Sequence, residues 1–193
     1  SKDFSTKVQR TAAIGAVIDY KSGKSGYPYI ILVGYKDSFS EGVLEEKILR
    51  NSIVSLKKGG TISHEFFKEV LFESSFQKVD FVSQPGEFAI RGSIIDVFSY
   101  GDNQPYRIDF FGDEIESIKV FNTNTQRSEK IVESIDIFPN IASSLESQYT
   151  VPVLDFLPQE SVIWLADVEN IQDYSSPHKH IFISTLGNES INV

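Results

Sequence analysis

The sequence predicts an α+β fold: a small antiparallel sheet with one packed helix, flanked by partial α/β segments. Three observations predict it. Residues 106–111 (Tyr-Arg-Ile-Asp-Phe-Phe) alternate in the way of a strand with one buried face. Further extended runs at 79–82, 87–98, 114–121 and 130–138 surround it, separated by turn signals such as Gly112-Asp113. A single helical stretch precedes them, in which Ser63 can cap a run through Glu65, Phe66, Phe67, Val70, Leu71 and Phe72.

Taken in order, residues 7–20 space Val8, Ala12, Ile14, Val17 and Ile18 at helical intervals. Residues 21–26 (Lys-Ser-Gly-Lys-Ser-Gly) read as a loop. Tyr29 to Val33 is a continuously apolar run, as in a strand buried on both faces of a parallel sheet. Ser52 to Leu56 is a short strand closed by Lys58-Gly59-Gly60. Glu65 falls in the first turn of the following helix, where the dipole favours an anion. Within 87–98 the apolar parity switches across Gly92, which predicts a bulge there. Residues 100–105 and 122–125 are loops. Beyond Pro139, 152–157 reads as a short helix, 161–165 as an apolar strand, 167–174 as a helix, and 181–184 as an edge segment.

Composition narrows the function. The 193 residues carry a net charge of −9, and no Lys/Arg run exceeds the pair Lys57-Lys58. Phosphate recognition needs a basic stripe, so broad nucleic-acid binding is disfavoured. With no cysteine, disulfides and thiolate metal sites are excluded, and the lack fits a reducing compartment. No apolar run approaches the ~18 residues of a membrane span, and no signal peptide opens the chain. The absence of methionine, position 1 included, reads as a piece of a longer protein. The 15 Phe and 8 Tyr exceed what a core of this size needs and leave aromatics for a contact surface.

Catalytic patterns do not assemble. Gly23-Lys24-Ser25 resembles the end of a phosphate-binding loop, but the glycine required five residues earlier is Ile18. Asp109, Asp113, Glu114 and Glu116 are closely spaced without a converging histidine. His64 starts a helix, while His178 and His180 lie in a Pro-flanked tail. No nucleophile sits in a strand–turn–helix setting. The reading is therefore no enzyme, no metal and no cofactor in this chain.

The strand 106–111 carries the binding signal. Tyr106, Ile108 and Phe110 share a core face, and Arg107, Asp109 and Phe111 share the other. A bare phenylalanine beside an arginine and a carboxylate suits a binding surface. The competing reading has Arg107 pairing with a cross-strand carboxylate and Phe111 packing under the helix. Spacing leaves open whether Arg91 shares the face of Arg107.

Residues 86–98 (GEFAIRGSIIDVF), 106–115 (YRIDFFGDEI) and 125–128 (TQRS) closely resemble the N-terminal region of bacterial transcription-repair coupling factors (Mfd). The segment is also similar to domain 2 of the excision-repair protein UvrB, although TQRS and the preceding Val79-Asp80-Phe81-Val82 fit the coupling factors better. The resemblance implies three pieces: 1–47, the first part of a UvrB-like α/β domain 1; 48–139, an α+β UvrA-binding domain 2; and 140–193, the return segment of domain 1. It implies a non-catalytic, cytoplasmic module that recruits UvrA to stalled RNA polymerase during nucleotide excision repair. Carried over position by position, the family's contact residues fall on Arg91, Arg107 and Phe111, whose two guanidinium forks and benzyl group would meet the partner. That carry-over implies a bulge at Gly92 returning Arg91 to the Arg107 face. ATP, the DNA translocase motor, and contacts to DNA and RNA polymerase are implied for other domains of the parent. The alternatives are a fragment of the UvrB damage-verification ATPase and a purely structural α+β domain.

Overall fold

A computed structural model describes residues 2–34, 39, 42–141, 150–166 and 179–183. The chain opens with helix α1 (Lys2–Lys21), followed by β1 (Gly42–Leu44), α2 (Glu46–Ser52), β2 (Val54–Lys57) and α3 (His64–Glu73). The strands β3 (Gln77–Lys78), β4 (Glu87–Arg91), β5 (Ile94–Val97), β6 (Tyr106–Phe111), β7 (Glu114–Phe121), β8 (Ser128–Val132) and β9 (Ser134–Ile137) come next. Last are β10 (Thr150–Pro152), α4 (Val153–Phe156), β11 (Val162–Ala166) and β12 (Lys179–Ile183).

The α+β class follows from one six-stranded sheet in the order β3-β4-β5-β6-β7-β8, antiparallel except for the parallel pair β3–β4. Strand alternation sends Phe88, Ile95, Val97, Ile108, Phe110 and Ile118 to one face. There they meet Phe67 and Leu71 of α3, with Leu56, Ile135 and Ile137 from the β2–β9 pair, in a single buried cluster. Helix α3 starts where predicted: the Ser63 hydroxyl accepts from the Phe66 N–H, and Glu65 lies in the first turn. A second cluster joins Ile14, Val17 and Ile18 of α1 to Val43, Leu44, Leu49, Phe138, Ile141, Val153 and Phe156, so residues far apart in sequence share one core.

Several predicted elements are corrected. Residues 29–33 form no strand, and they are not buried on both faces. Ile30 and Leu32 pack on the second cluster, while Tyr29, Ile31 and Val33 are exposed. The strand expected at 79–82 is two residues long and earlier, at 77–78. Gly92 makes no bulge. With φ +61° it turns a tight hairpin between β4 and β5, in which Phe88 faces Val97 and Ile90 faces Ile95. The parity switch is the signature of a chain reversal. The run 130–138 is two strands with different partners, β8 on the large sheet and β9 on β2. Helix α4 and strand β11 match their predictions, and the 181–184 reading is met by β12, which pairs in parallel with β11. The helix read at 167–174 and residue His178 lie outside the described residues.

Candidate protein-interaction site

The second face of the large sheet is built by the residues between those of the core. Its rows run Ala89–Asp96–Arg107–Lys119–Ile131 across β4 to β8 and Arg91–Ile94–Asp109–Ser117 across β4 to β7. Arg91, Arg107 and Phe111 therefore lie on one side of the sheet. It is the hairpin at Gly92, with Arg91 opposite Ile94, that puts Arg91 there.

At the centre is Asp96. Its neighbours Ile95 and Val97 point to the core, so its carboxylate points to the outer face, yet its side chain is only 1% exposed. Two guanidiniums cover it. Arg107, its direct cross-strand partner, donates from Nε to Oδ1 at 2.7 Å and from Nη2 to Oδ2 at 2.9 Å. This is a bidentate fork. Arg107 Nη1 donates to the Gln126 carbonyl at 3.2 Å and to Ser128 Oγ at 3.5 Å, and its guanidinium lies 4.9 Å from the centre of the Phe121 ring. The hydrogen bonds to Asp96 push its pKa further above the ordinary arginine value. The Arg91 Nη2 stands 3.1 Å from Asp96 Oδ2 and donates to the Asp80 carbonyl at 3.4 Å, with the guanidinium 5.3 Å from the Phe81 ring centre.

The three residues differ in what they offer. The Arg107 side chain is 16% exposed and Arg91 is 39% exposed. Phe111, at the end of the β6–β7 hairpin, is 79% exposed. Arg107 thus pairs with a cross-strand carboxylate and its fork is closed, in contrast to the expected pair of open forks. Phe111 stands clear of α3. Phe81 and Ile131 are also exposed beside these groups.

The other half of the outer face is sealed. Val82 packs with Ala89, Phe98 and Phe121. The loop that carries it is held by Glu87, whose buried carboxylate accepts from the N–H and Oγ of Ser83 and from the N–H and Nε2 of Gln84 at 2.8–3.1 Å. Gly86 closes the turn at φ +83°, where a Cβ would stand 2.4 Å from the Tyr100 ring. Gln126, at φ +58°, donates from Nε2 to the carbonyls of Val82 and Thr123. The Pro-Gly-Glu and Thr-Gln-Arg-Ser segments are therefore scaffolding for Arg107 and its surroundings.

Sequence reasoning missed Asp96, Phe81 and Ile131. The parity of Ile95 and Val97 was a usable signal for Asp96, since it places a lone acid on the face away from the core. Phe81 and Ile131 had none, because a loop's path and the length of β8 decide their exposure. The acidic residues near the β6–β7 turn do not converge: Asp113 accepts from the His64 N–H at 3.2 Å, and Asp109 faces Ile94 and Ser117. Among the described residues no three His, Asp or Glu side chains are grouped to hold a metal. The Gly23-Lys24-Ser25 loop follows the C-terminal end of α1, where exposed carbonyls disfavour phosphate, and Lys24 Nζ lies 2.5 Å from Asp136 Oδ2. These residues do not fit a nucleotide phosphate.

Residues 54–142 match the family model of the UvrB interaction domain. The chain is 34% identical to the transcription-repair-coupling factor of Escherichia coli K12 over 109 residues, 56% of this chain and 10% of that protein. It is 37% identical to that of Bacillus subtilis 168 over 93 residues, 48% of this chain and 8% of the relative. The corresponding Staphylococcus aureus USA300 protein is 32% identical over 139 residues, 71% of this chain and 12% of the relative. The chain therefore spans only about a tenth of the length of the curated relatives it matches. The family match covers the large sheet, α3 and the whole Asp96 cluster. Residues 54–142 are thus similar to the UvrB interaction domain, and the relatives that share this stretch are transcription-repair-coupling factors.

Proposed function

We propose that this chain is a non-catalytic recruiting module that binds the excision-repair protein UvrA through the outer face of its large sheet, at Arg91, Arg107 and Phe111. The observation that carries the proposal is a coincidence of place. The UvrB interaction domain match falls on the sheet whose open half carries an exposed phenylalanine on the same side as an arginine cluster. Arginine and aromatic side chains at the centre of a patch commonly carry most of the binding energy. A standard interface of roughly 800 Å² per partner would cover the patch and its rim.

The parent is a cytoplasmic transcription-repair coupling protein that brings UvrA to stalled RNA polymerase during nucleotide excision repair. Its ATP-driven translocation on DNA and its contacts to DNA and RNA polymerase belong to other domains. No cofactor is assigned to the present chain, and none of the described helices is long and apolar enough to cross a membrane. Residues 1–47 and 140–193 are read as two pieces of one UvrB-like domain flanking the UvrA-binding module at 48–139. The shared cluster of Ile14, Val43, Ile141 and Val153 supports that reading.

The test is a titration of the purified chain with UvrA. Arg107→Ala and Phe111→Ala should each weaken binding by about 2 kcal/mol. Wild-type affinity in both variants would refute the site.

A further inference from the structure

Helix α3 has two sides built on opposite terms. Phe67 and Leu71 are fully buried against the core face of the large sheet. On the opposite side Glu65, Glu69 and Glu73, spaced i, i+4, i+8, form a line, with Phe66 along one flank and Phe72 along the other. All of them are exposed, the two rings by 55% and 54%. Glu65 pairs with Lys68, whereas Glu69 and Glu73 have no ion-pair partner among the described residues. Glu73 also walls a cavity of about 190 Å³ that reaches Leu44, Pro139 and Ile141. Each of these choices costs the isolated fold something. Like charges four apart on a helix repel. A carboxylate in the last turn opposes the helix dipole, and α3 has no basic residue there to offset it. The two rings leave apolar area in water on one short helix.

We infer that the solvent side of α3 is a second docking surface, which takes a basic amphipathic helix of a partner protein. Lysines or arginines of that helix meet Glu69 and Glu73, and its apolar side chains cover Phe66 and Phe72. Charge selects this occupant. The carboxylates repel the phosphates of nucleic acids and of anionic membranes, and a second copy of this chain, at net charge −9, brings like charge. Because α3 covers the core face of the sheet, its solvent side points away from the face of Arg91, Arg107 and Phe111. The two surfaces can therefore be occupied at once, and this inference stands apart from the UvrA-binding reading.

The experiment titrates the 193-residue chain with a synthetic helix that sets lysines at i, i+4 between two rows of leucine. Comparison peptides carry glutamate for lysine, or serine for leucine. The lysine–leucine helix should bind about tenfold more tightly than either. Phe66→Ser should weaken it about fivefold or more with an unchanged unfolding midpoint. Phe66 is the variant of choice because the Phe72 ring also packs edge-on against the buried Phe88, 5.0 Å between centres. Glu73→Lys should weaken binding about tenfold yet raise the unfolding midpoint, since it relieves both the repulsion and the dipole. A residue kept for the fold alone would not move the two readouts in opposite directions. Glu129→Lys, exposed on β8, changes the net charge equally and should bind within about twofold of wild type. Binding unchanged in Phe66→Ser, or lost equally in Glu129→Lys, would overturn the inference by showing diffuse attraction of a basic peptide to an acidic chain. Self-association of wild type that Phe66→Ser abolishes would name a second copy as the occupant and overturn it too.

Discussion

The two faces of the large sheet are made by alternate residues of the same strands, yet they are built to different ends. On the inner face Phe88, Ile95, Ile108, Phe110 and Ile118 are sealed beneath Phe67 and Leu71. On the outer face a fully buried carboxylate sits among two arginines, with the exposed Phe81 ring against Arg91 and an exposed Phe111 on the same side. The inner face gains from removing apolar area from water, about 25 cal/mol per Å². The outer face leaves such area in water, which a folded chain tolerates at little cost and a partner can bury. The difference teaches that one pleated sheet can place the residues of its core and those of the proposed binding surface on opposite faces.

Substitutions can break that separation or sharpen it. The largest effect should come from Phe67→Ala, which opens a cavity against Phe110, whose ring centre is 6.4 Å away. A loss of about 3–5 kcal/mol is expected in denaturant unfolding. The molecules that remain folded should bind UvrA as wild type does. A weakened intrinsic affinity in the folded fraction would mean that the faces communicate.

A smaller effect is expected from a second carboxylate. Asp96 is met by guanidiniums, whereas Asp102 has only the hydroxyls of Ser99 and Tyr106, and its Oδ2 is buried with no hydrogen-bond partner. Burial pushes the Asp102 carboxyl up to about 6, from 3.8. A carboxyl raised in the folded state binds more protons there than in the unfolded chain. Stability should therefore fall as pH rises from about 4 to about 6 and stay level above that, by about 1–3 kcal/mol. Asp102→Asn should remove this descending limb and raise the unfolding midpoint at pH 7.5. An unchanged pH profile would place the titration elsewhere.

The smallest effect on stability, and the sharpest contrast, belongs to Phe111→Ala. With its ring exposed, the substitution should change unfolding free energy by no more than about 0.5 kcal/mol, although it removes the proposed binding anchor. A large destabilisation would show that Phe111 is structural after all.

Much of this architecture was legible from residue pattern. The strands at 106–111 and 114–121, the helix capped by Ser63 and the two faces of β6 follow from alternation and capping, which act within a few residues. The segment 29–33 misled because an apolar run reports a wish for burial and not whether a neighbouring strand exists. Gly92 misled because a bulge and a hairpin turn leave the same parity switch. In the site, Phe111 was legible as an aromatic on a polar face. Its neighbour Arg107 matched both an open and a closed fork, since a strand pattern does not say what lies opposite.

From the residues alone came the secondary-structure types, the shared face of Arg107 and Phe111 and the resemblance to the coupling factors, because these depend on local spacing and on motifs. Only the packed molecule decided that Asp96 lies opposite Arg107, that Arg91 joins them, and that Arg91 stays more exposed than Arg107. Cross-strand register and the path of the 79–86 loop settle those points, and both arise from contacts between segments that no local pattern encodes.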